Sequence, residues 1–358
     1  MNSIALPSAA APLRAARPPL ALVHGAAAPR LPRVSSPFIR DVLAGLSRPQ
    51  KAIPSTWLYD ARGCELFEQI TRLDEYYPTR TETAILERCA GEIAAAAGPG
   101  ATLVELGSGS SVKTRLLLAA LDSPSVYVPI DISETSLAAA AQSLRHDFPR
   151  LDVRPIVGDF CDPATLAPLR RGPGALQRAA RAARPWGRRV GFFPGSTIGN
   201  FDPGAAVGLL ASVGQALGDD ALLVIGVDST LDPAVLLPAY DDAQGVTAEF
   251  NRNLLVRINR ELEGDFEPRA FRHEARFNAE HQRVEMHLVS RTWETFEVLG
   301  RRFGFPAGDS IRTEISCKYT RARLQHLAAR AGWSALQYWT DAGARFAVHV
   351  FERAAADR

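Results

Sequence analysis

Between residues 104 and 115 the chain reads VELGSGSSVKTR, an apolar run broken by two glycines and followed by a lysine. A turn of this kind brings bare backbone close to a ligand, and the flanking side chains decide which ligand. A triphosphate loop needs GxxxxGK followed by Ser or Thr. Counted from Gly107, its second glycine falls on Val112, ahead of Lys113 and Thr114, so that reading fails. The dinucleotide pattern GxGxxG fits Gly107 and Gly109 and again meets Val112, which weakens it without excluding it. Glu105 points elsewhere. A carboxylate here repels a pyrophosphate but attracts a sulfonium or an ammonium. S-adenosylmethionine carries both cations and no phosphate, and Lys113 stands ready for its carboxylate. Only three lysines occur in the chain, and two of them, Lys113 and Lys318, lie inside candidate motifs.

Two further strand ends fit the same cofactor. Asp131, 24 residues after Gly107, is placed to accept both ribose hydroxyls. In GDF, Asp159 can take the adenine amino hydrogen while Phe160 covers the ring. On the acceptor side FFPGSTIGN (192–200) forms a polar, glycine-flanked loop, where Gly195 admits a substrate to the backbone and Asn200 offers a donor and an acceptor. Asn200 could equally cap the helix that follows.

The elements that must position these residues are legible in the apolar pattern. ATLVEL, SVYVPIDIS (125–133), LDVRPIVGDF (151–160), RRVGFFPGST (188–197) and ALLVIGVDST (221–230) are short apolar runs separated by helix-like segments. They predict an α/β fold, a doubly wound parallel sheet buried on both faces. Helices and then antiparallel alternation occupy 231 to about 317, as an insertion. A helix over 320–332 and two strand-like runs, ALQYWTD and RFAVHVFE, return to complete the first sheet at its edge. The expected division is a disordered leader at 1–35, a substrate-binding domain from 36–80 plus 231–317, and a Rossmann-like domain from 81–230 plus 318–358.

Composition excludes several classes. A formal charge of +2 gives no field for nucleic acid, and no unbroken apolar stretch is long enough for a membrane span. Four scattered cysteines and seven dispersed histidines predict reduced thiols, a cytoplasmic location and no metal. The stretch 166–189 has seven arginines and no acid; with one interleaved aromatic it reads as a solvated helix and loop rather than a nucleic-acid site.

Longer motifs carry a resemblance. STWLYDARGCELFEQITRLDEYYPTRTE (55–82), VELGSGSSVKTR, GSTIGN, AYDDAQGVTAEFNRN (239–253), EMHL (285–288) and TEISCKY (313–319) are similar to segments of the L-histidine Nα-methyltransferases of ergothioneine biosynthesis, in order over roughly residues 50–353. The resemblance implies a class I methyltransferase that binds S-adenosyl-L-methionine through Gly107, Lys113, Asp131, Asp159 and Phe160. It implies that Asn200 and Tyr240 hold the substrate carboxylate, and that Gly195 and Tyr59 lie near the α-amine with Phe67 lining its pocket. Tyr76, Glu314 and Ser316 would then meet the imidazole, with Met286 packing beside it. Tyr59, Asn200 and Phe67 are the residues closest to the reaction on this reading. Its outcome is three successive methylations of histidine, through its mono- and dimethyl forms, to hercynine; a monomer with no nucleic-acid or membrane partner is expected. Another amino acid as substrate, or a non-catalytic S-adenosylmethionine-binding regulator, are the alternatives.

Overall fold

The computed structural model describes residues 36–109, 112–170 and 187–353. The leader expected at 1–35, and residues 171–186 of the arginine-rich stretch, lie outside the described residues. In chain order the strands are β1 (Lys51–Ala52), β2 (Thr102–Leu106), β3 (Val126–Asp131), β4 (Asp152–Val153), β5 (Ile156–Val157), β6 (Arg189–Phe193), β7 (Leu222–Asp228), β8 (Phe271–Asn278), β9 (Arg283–Ser290), β10 (Glu294–Val298), β11 (Arg301–Phe305), β12 (Ser310–Cys317), β13 (Ser334–Thr340) and β14 (Phe346–Glu352).

The main sheet has the order β13-β14-β7-β6-β2-β3-β4, with β5 also paired to β3. The pairs formed among β2, β3, β4, β6 and β7 are parallel, and β14 enters antiparallel between β7 and β13. This is a doubly wound α/β sheet of class I methyltransferase order. Chain direction explains where its ligands bind: the order reverses between β2 and β6, and the loops after β2, β3 and β6 open at one carboxyl edge. Both faces are covered. Val104, Leu106, Val128, Ile130, Phe193 and Ile225 pack on one side, and Leu103, Tyr127, Phe192 and Val224 on the other. Near-continuous apolar runs follow from that double burial.

One apolar run departs from its reading. LDVRPIVGDF is two short strands rather than one, because Pro155 has no N–H to continue the ladder. The helix ahead of β2 runs over Tyr77–Ala97, with Pro78 in its first turn, and is closed by Gly98 with φ +73°.

A second sheet, β1-β12-β9-β8, is antiparallel except for the parallel edge pair β1–β12. Helices Ala61–Ile70 and Val246–Leu262 pack together beside it. Asp60 caps the first by accepting from Gly63 N–H and also takes Asn253 Nδ2 of the second at 2.7 Å. Asp242 caps the second through Val246 and Thr247 N–H at 3.0 and 2.8 Å. Much of YDDAQGVTAEFNRN therefore holds helices rather than ligands.

Glu82, fully buried on helix Tyr77–Ala97, anchors that helix to the sheet. It accepts from Lys113 Nζ at 2.5 Å and from Gly195 N–H at 2.9 and 3.1 Å. Gly226 on β7 makes the room: a Cβ there would stand 1.8 Å from Glu82 Oε1. Gly226→Ala is expected to lower stability by about 2 kcal/mol through overpacking, read as a lower urea midpoint at unchanged slope. An unchanged midpoint would show that Glu82 moves freely.

Candidate active site

The turn after β2 is built for close approach. Gly107 and Gly109 have φ of +75° and +43°, and Gly107 N–H is tied to Ile130 O at 2.9 Å. Among the described residues, a Cβ on Gly109 would meet nothing within 4 Å. Asp131, at the end of β3, accepts from Ser133 N–H at 2.9 Å and remains partly exposed. Phe160 packs edge-on against Phe193 and Phe201, with ring centroids 5.5 and 6.3 Å away, and its ring edge is the nearest neighbour a Gly107 side chain would meet. Asp159 accepts from Cys161 N–H at 2.8 Å. Two apolar side chains, Ile132 and Val157, are 39% and 53% exposed at the same edge. An acid for vicinal hydroxyls and an apolar, aromatic slot fit the adenosine half of S-adenosylmethionine.

Glu105 does not do what its position suggested. It is 2% exposed, and both its oxygens accept from Thr114 Oγ1, at 2.9 and 2.8 Å, while Tyr127 Oη donates to one of them. Its carboxylate is held inside the sheet-to-helix packing rather than offered to a sulfonium. Burial pushes its pKa up to about 8, against the opposing pull of Tyr127 and Thr114. Lys113 pairs with Glu82, which among the described residues leaves two of its three donors for a carboxylate.

The acceptor residues converge from four separate segments. A T-shaped aromatic run links Tyr59 to Phe67 at 5.5 Å, Phe67 to Tyr76 at 6.2 Å and Tyr76 to Tyr240 at 6.5 Å. Phe250 closes against Tyr59 and Phe67. On β12 a bulge between Arg312 and Glu314 re-aims the strand, so that Glu314 stands opposite Met286 on β9. Glu314 and Ser316, two residues apart, then share a face. Asn200 ends the short 3₁₀ turn Thr197–Asn200, which lies against β12: a Cβ on Gly199 would be 2.8 Å from Cys317 O and 3.3 Å from Ser316 Oγ. Capping does not explain Asn200, because Asp202 caps the next helix through Gly204 and Ala205 N–H.

Among the described residues, no hydrogen-bond partner reaches the Glu314 carboxylate, the Tyr59 and Tyr76 hydroxyls or the Asn200 amide. Burial raises the Glu314 pKa to about 7, with Lys318 pulling the other way. Burial, and then Glu314, hold the Tyr59 phenol well above its ordinary value; for Tyr76 burial, Tyr240 and Glu314 act in that order. Tyr59, Asn200 and Glu314 are only partly buried, so these polar groups can meet a polar ligand.

Behind this pocket lies a network that the motifs did not disclose. Lys318 Nζ, fully buried, donates to Asp228 Oδ2 at 2.7 Å, Tyr240 Oη at 2.8 Å and Ser316 Oγ at 3.0 Å. Tyr77 Oη donates to the same Asp228 at 2.7 Å, and Tyr240 and Ser316 oxygens are 2.8 Å apart. Burial works against the Lys318 ammonium, but Asp228 and Tyr240 more than offset it and hold its pKa above the usual lysine range. The hydroxyl of Ser316 is thus already engaged before any ring arrives. Of Glu82, Asp228, Tyr77 and Lys318, only Lys318 had a visible signal, the scarcity of lysine.

Sheet order and glycine turn define the class: an S-adenosylmethionine-dependent methyltransferase of the doubly wound fold. The model of the histidine-specific, SAM-dependent methyltransferases matches residues 38–353. The chain is 40% identical over 319 residues to a histidine N-alpha-methyltransferase of Mycolicibacterium smegmatis, covering 88% of this chain and 94% of that one. It is 28% identical over 338 residues to ergothioneine biosynthesis protein 1 of Neurospora crassa, covering 88% of this chain and 35% of that longer protein. A solved methyltransferase from Streptomyces caelestis, 13% identical, aligns with a TM-score of 0.42 over 75% of this chain and 95% of that one. The chain belongs to the SAM-dependent histidine-specific methyltransferase family. No helix among the described residues is long and apolar enough to cross a membrane.

The surroundings of Glu105 set a pH test. Its folded pKa, about 8, lies above the ordinary glutamate value, so the folded chain binds the extra proton between roughly pH 4.5 and 8 and wild-type stability falls as pH rises through that window. Glu105→Gln is expected to flatten this slope in denaturant titrations while leaving S-adenosylmethionine affinity within about 2-fold of the parent. A collapse of cofactor affinity would restore the sulfonium role.

Proposed function

We propose that this enzyme methylates the α-amine of L-histidine three times in succession, giving hercynine at the start of ergothioneine biosynthesis. The single observation that supports it most is the gathering of polar groups without a protein partner, Glu314, Tyr59, Tyr76 and Asn200, around the Tyr240–Ser316 hydroxyls. In this reading Asp131, Asp159, Phe160, Gly107 and Lys113 hold the cofactor. Asn200 and Tyr240 take the carboxylate, and Glu314 with Tyr76, Ser316 and Met286 receives the imidazole. Gly195, Tyr59 and Phe67 border the amine. Residues 36–80 with 231–317 form the lobe that presents the amino acid, and 81–230 with 318–358 the lobe that holds the cofactor.

Bound S-adenosylmethionine supplies an electrophilic methyl on a sulfonium. The chain's own task is to present a neutral amine in line with it and to keep water out. Because α-amines titrate around pH 8 or somewhat above, a strong base is not required, and positioning carries the rate. The Tyr59–Phe67–Phe250 cluster provides a rigid apolar wall with one hydroxyl, Tyr59 Oη, available to turn a mono- or dimethylamine so that its lone pair faces the donor again. Such a wall suits successive transfers, since each added methyl increases the apolar surface it can cover.

Glu314→Ala is expected to raise the histidine KM by about 30-fold or more while S-adenosylmethionine still binds, and Asp131→Ala to do the reverse. Calorimetry with each ligand and mass spectra of the mono-, di- and trimethylated products check both. Preference for tryptophan or tyrosine over histidine in an amino-acid panel would refute the substrate; binding of S-adenosylmethionine with no turnover on any amino acid would refute the enzyme.

A further inference from the structure

The Lys318 network permits a count of hydrogens. An ammonium has three N–H donors, and here they go to Asp228, Tyr240 and Ser316. Both hydroxyl oxygens are therefore acceptors from the same cation. Asp228 is anchored in turn by Tyr77 Oη at 2.7 Å and cannot draw Lys318 away from its place. Tyr240 and Ser316 carry one O–H each, and their oxygens are 2.8 Å apart, so one of the two hydrogens lies between them. One hydrogen is left. All four side chains are almost fully buried, with Tyr240 8% and Ser316 3% exposed, so no solvent bath resets the arrangement.

We propose that Lys318 is a positioning residue for the amino-acid substrate, fixing Tyr240 and Ser316 so that the hydroxyl pair offers one donor and one acceptor to the ligand, never two donors. The proposal rests on the reading that these hydroxyls face the substrate. When Tyr240 donates outward to a carboxylate, Ser316 must donate to Tyr240 and is left as an acceptor for a ligand N–H. When Ser316 donates outward, Tyr240 can only accept. The pocket thus selects a substrate that presents an anion and an N–H donor on adjacent sides, which a zwitterion with an N–H-bearing side chain does. Without the ammonium each hydroxyl is free to rotate, and the matched polarity is lost.

A double-mutant cycle tests this with the full-length enzyme. Lys318→Met is expected to raise the histidine KM about 30-fold with S-adenosylmethionine affinity within about 2-fold of the parent. In a Tyr240→Phe/Ser316→Ala background the same substitution should change the histidine KM by less than about 3-fold, because the groups it acts through are gone. If Lys318→Met alone leaves Asp228 unpaired and the protein unfolded, the cycle is run with Asp228→Asn/Lys318→Met, which leaves no lone buried charge. Equal fold-changes in both backgrounds overturn the proposal, since Lys318 would then act through the fold at large. A Tyr240→Phe/Ser316→Ala enzyme with the parent's histidine KM overturns the functional reading itself, whatever Lys318 does.

Discussion

The ion pair between Lys318 and Asp228 is the constraint on which the architecture of the acceptor side depends. Asp228 ends β7 of the main sheet, and Lys318 follows β12 of the second sheet directly, so one fully buried contact of 2.7 Å joins the carboxyl end of one sheet to the exit of the other. An isolated buried charge costs several kcal/mol, and such a pair persists only when each remaining donor and acceptor is matched. Here Tyr77, Tyr240 and Ser316 complete the matching, and Ser196 Oγ accepts from the Asp228 backbone N–H at 3.0 Å. Each of these residues belongs to a different element. Their geometry is therefore set jointly, and a shift of any one leaves a charge or hydroxyl unmatched.

A second buried contact plays the equivalent part on the cofactor side. Glu82 binds Lys113 and the Gly195 amide, drawing helix Tyr77–Ala97, the glycine turn and the loop after β6 to one point. Tyr77 and Glu82 sit five residues apart on the same helix, so that helix carries one partner of each network. In the proposed pose the two half-sites are thus registered through a single rigid element. A methyl transfer that relies on alignment rather than on a strong base needs a registration of this kind.

How far these features could be read from the chain alone depends on whether their physics is local. The parallel strands were visible because burial on both faces writes long apolar runs, and the glycine turn because only glycine fits positive φ. Glu105 misled because a carboxylate before such a turn looks the same whether it faces a ligand or the packing. The parity that decides it, with Tyr127 registered beside Leu103 on the neighbouring strand, needs the pairing of β2 with β3. Glu314 and Ser316 could be placed on one face by alternation, but the bulge that aims them is silent in the sequence. Nothing local in the sequence marks Asp228 or Tyr77; the Tyr77 ring is buried, and its hydroxyl fixes the carboxylate of a residue 151 positions away.

The electrostatics of the proposed pose follow from the same partition. Burial raises Glu314 toward the range in which an imidazole titrates, so in the proposed pose either partner can carry the shared proton. A neutral pair and an ion pair have the same total charge, and the low-dielectric pocket is spared a net charge in either case. Lys318 cannot join this exchange: its positive charge is committed to Asp228, and its influence on Glu314 is a pull that keeps the carboxyl from rising further. A wholly apolar ring would leave Glu314 facing a partner that can neither donate nor accept a hydrogen bond. The carboxyl would then have to stay protonated and unmatched, or charged and desolvated. In the proposed pose, discrimination against apolar aromatic amino acids of similar size therefore rests on the hydrogen bond that Glu314 needs, which a phenylalanine ring cannot supply.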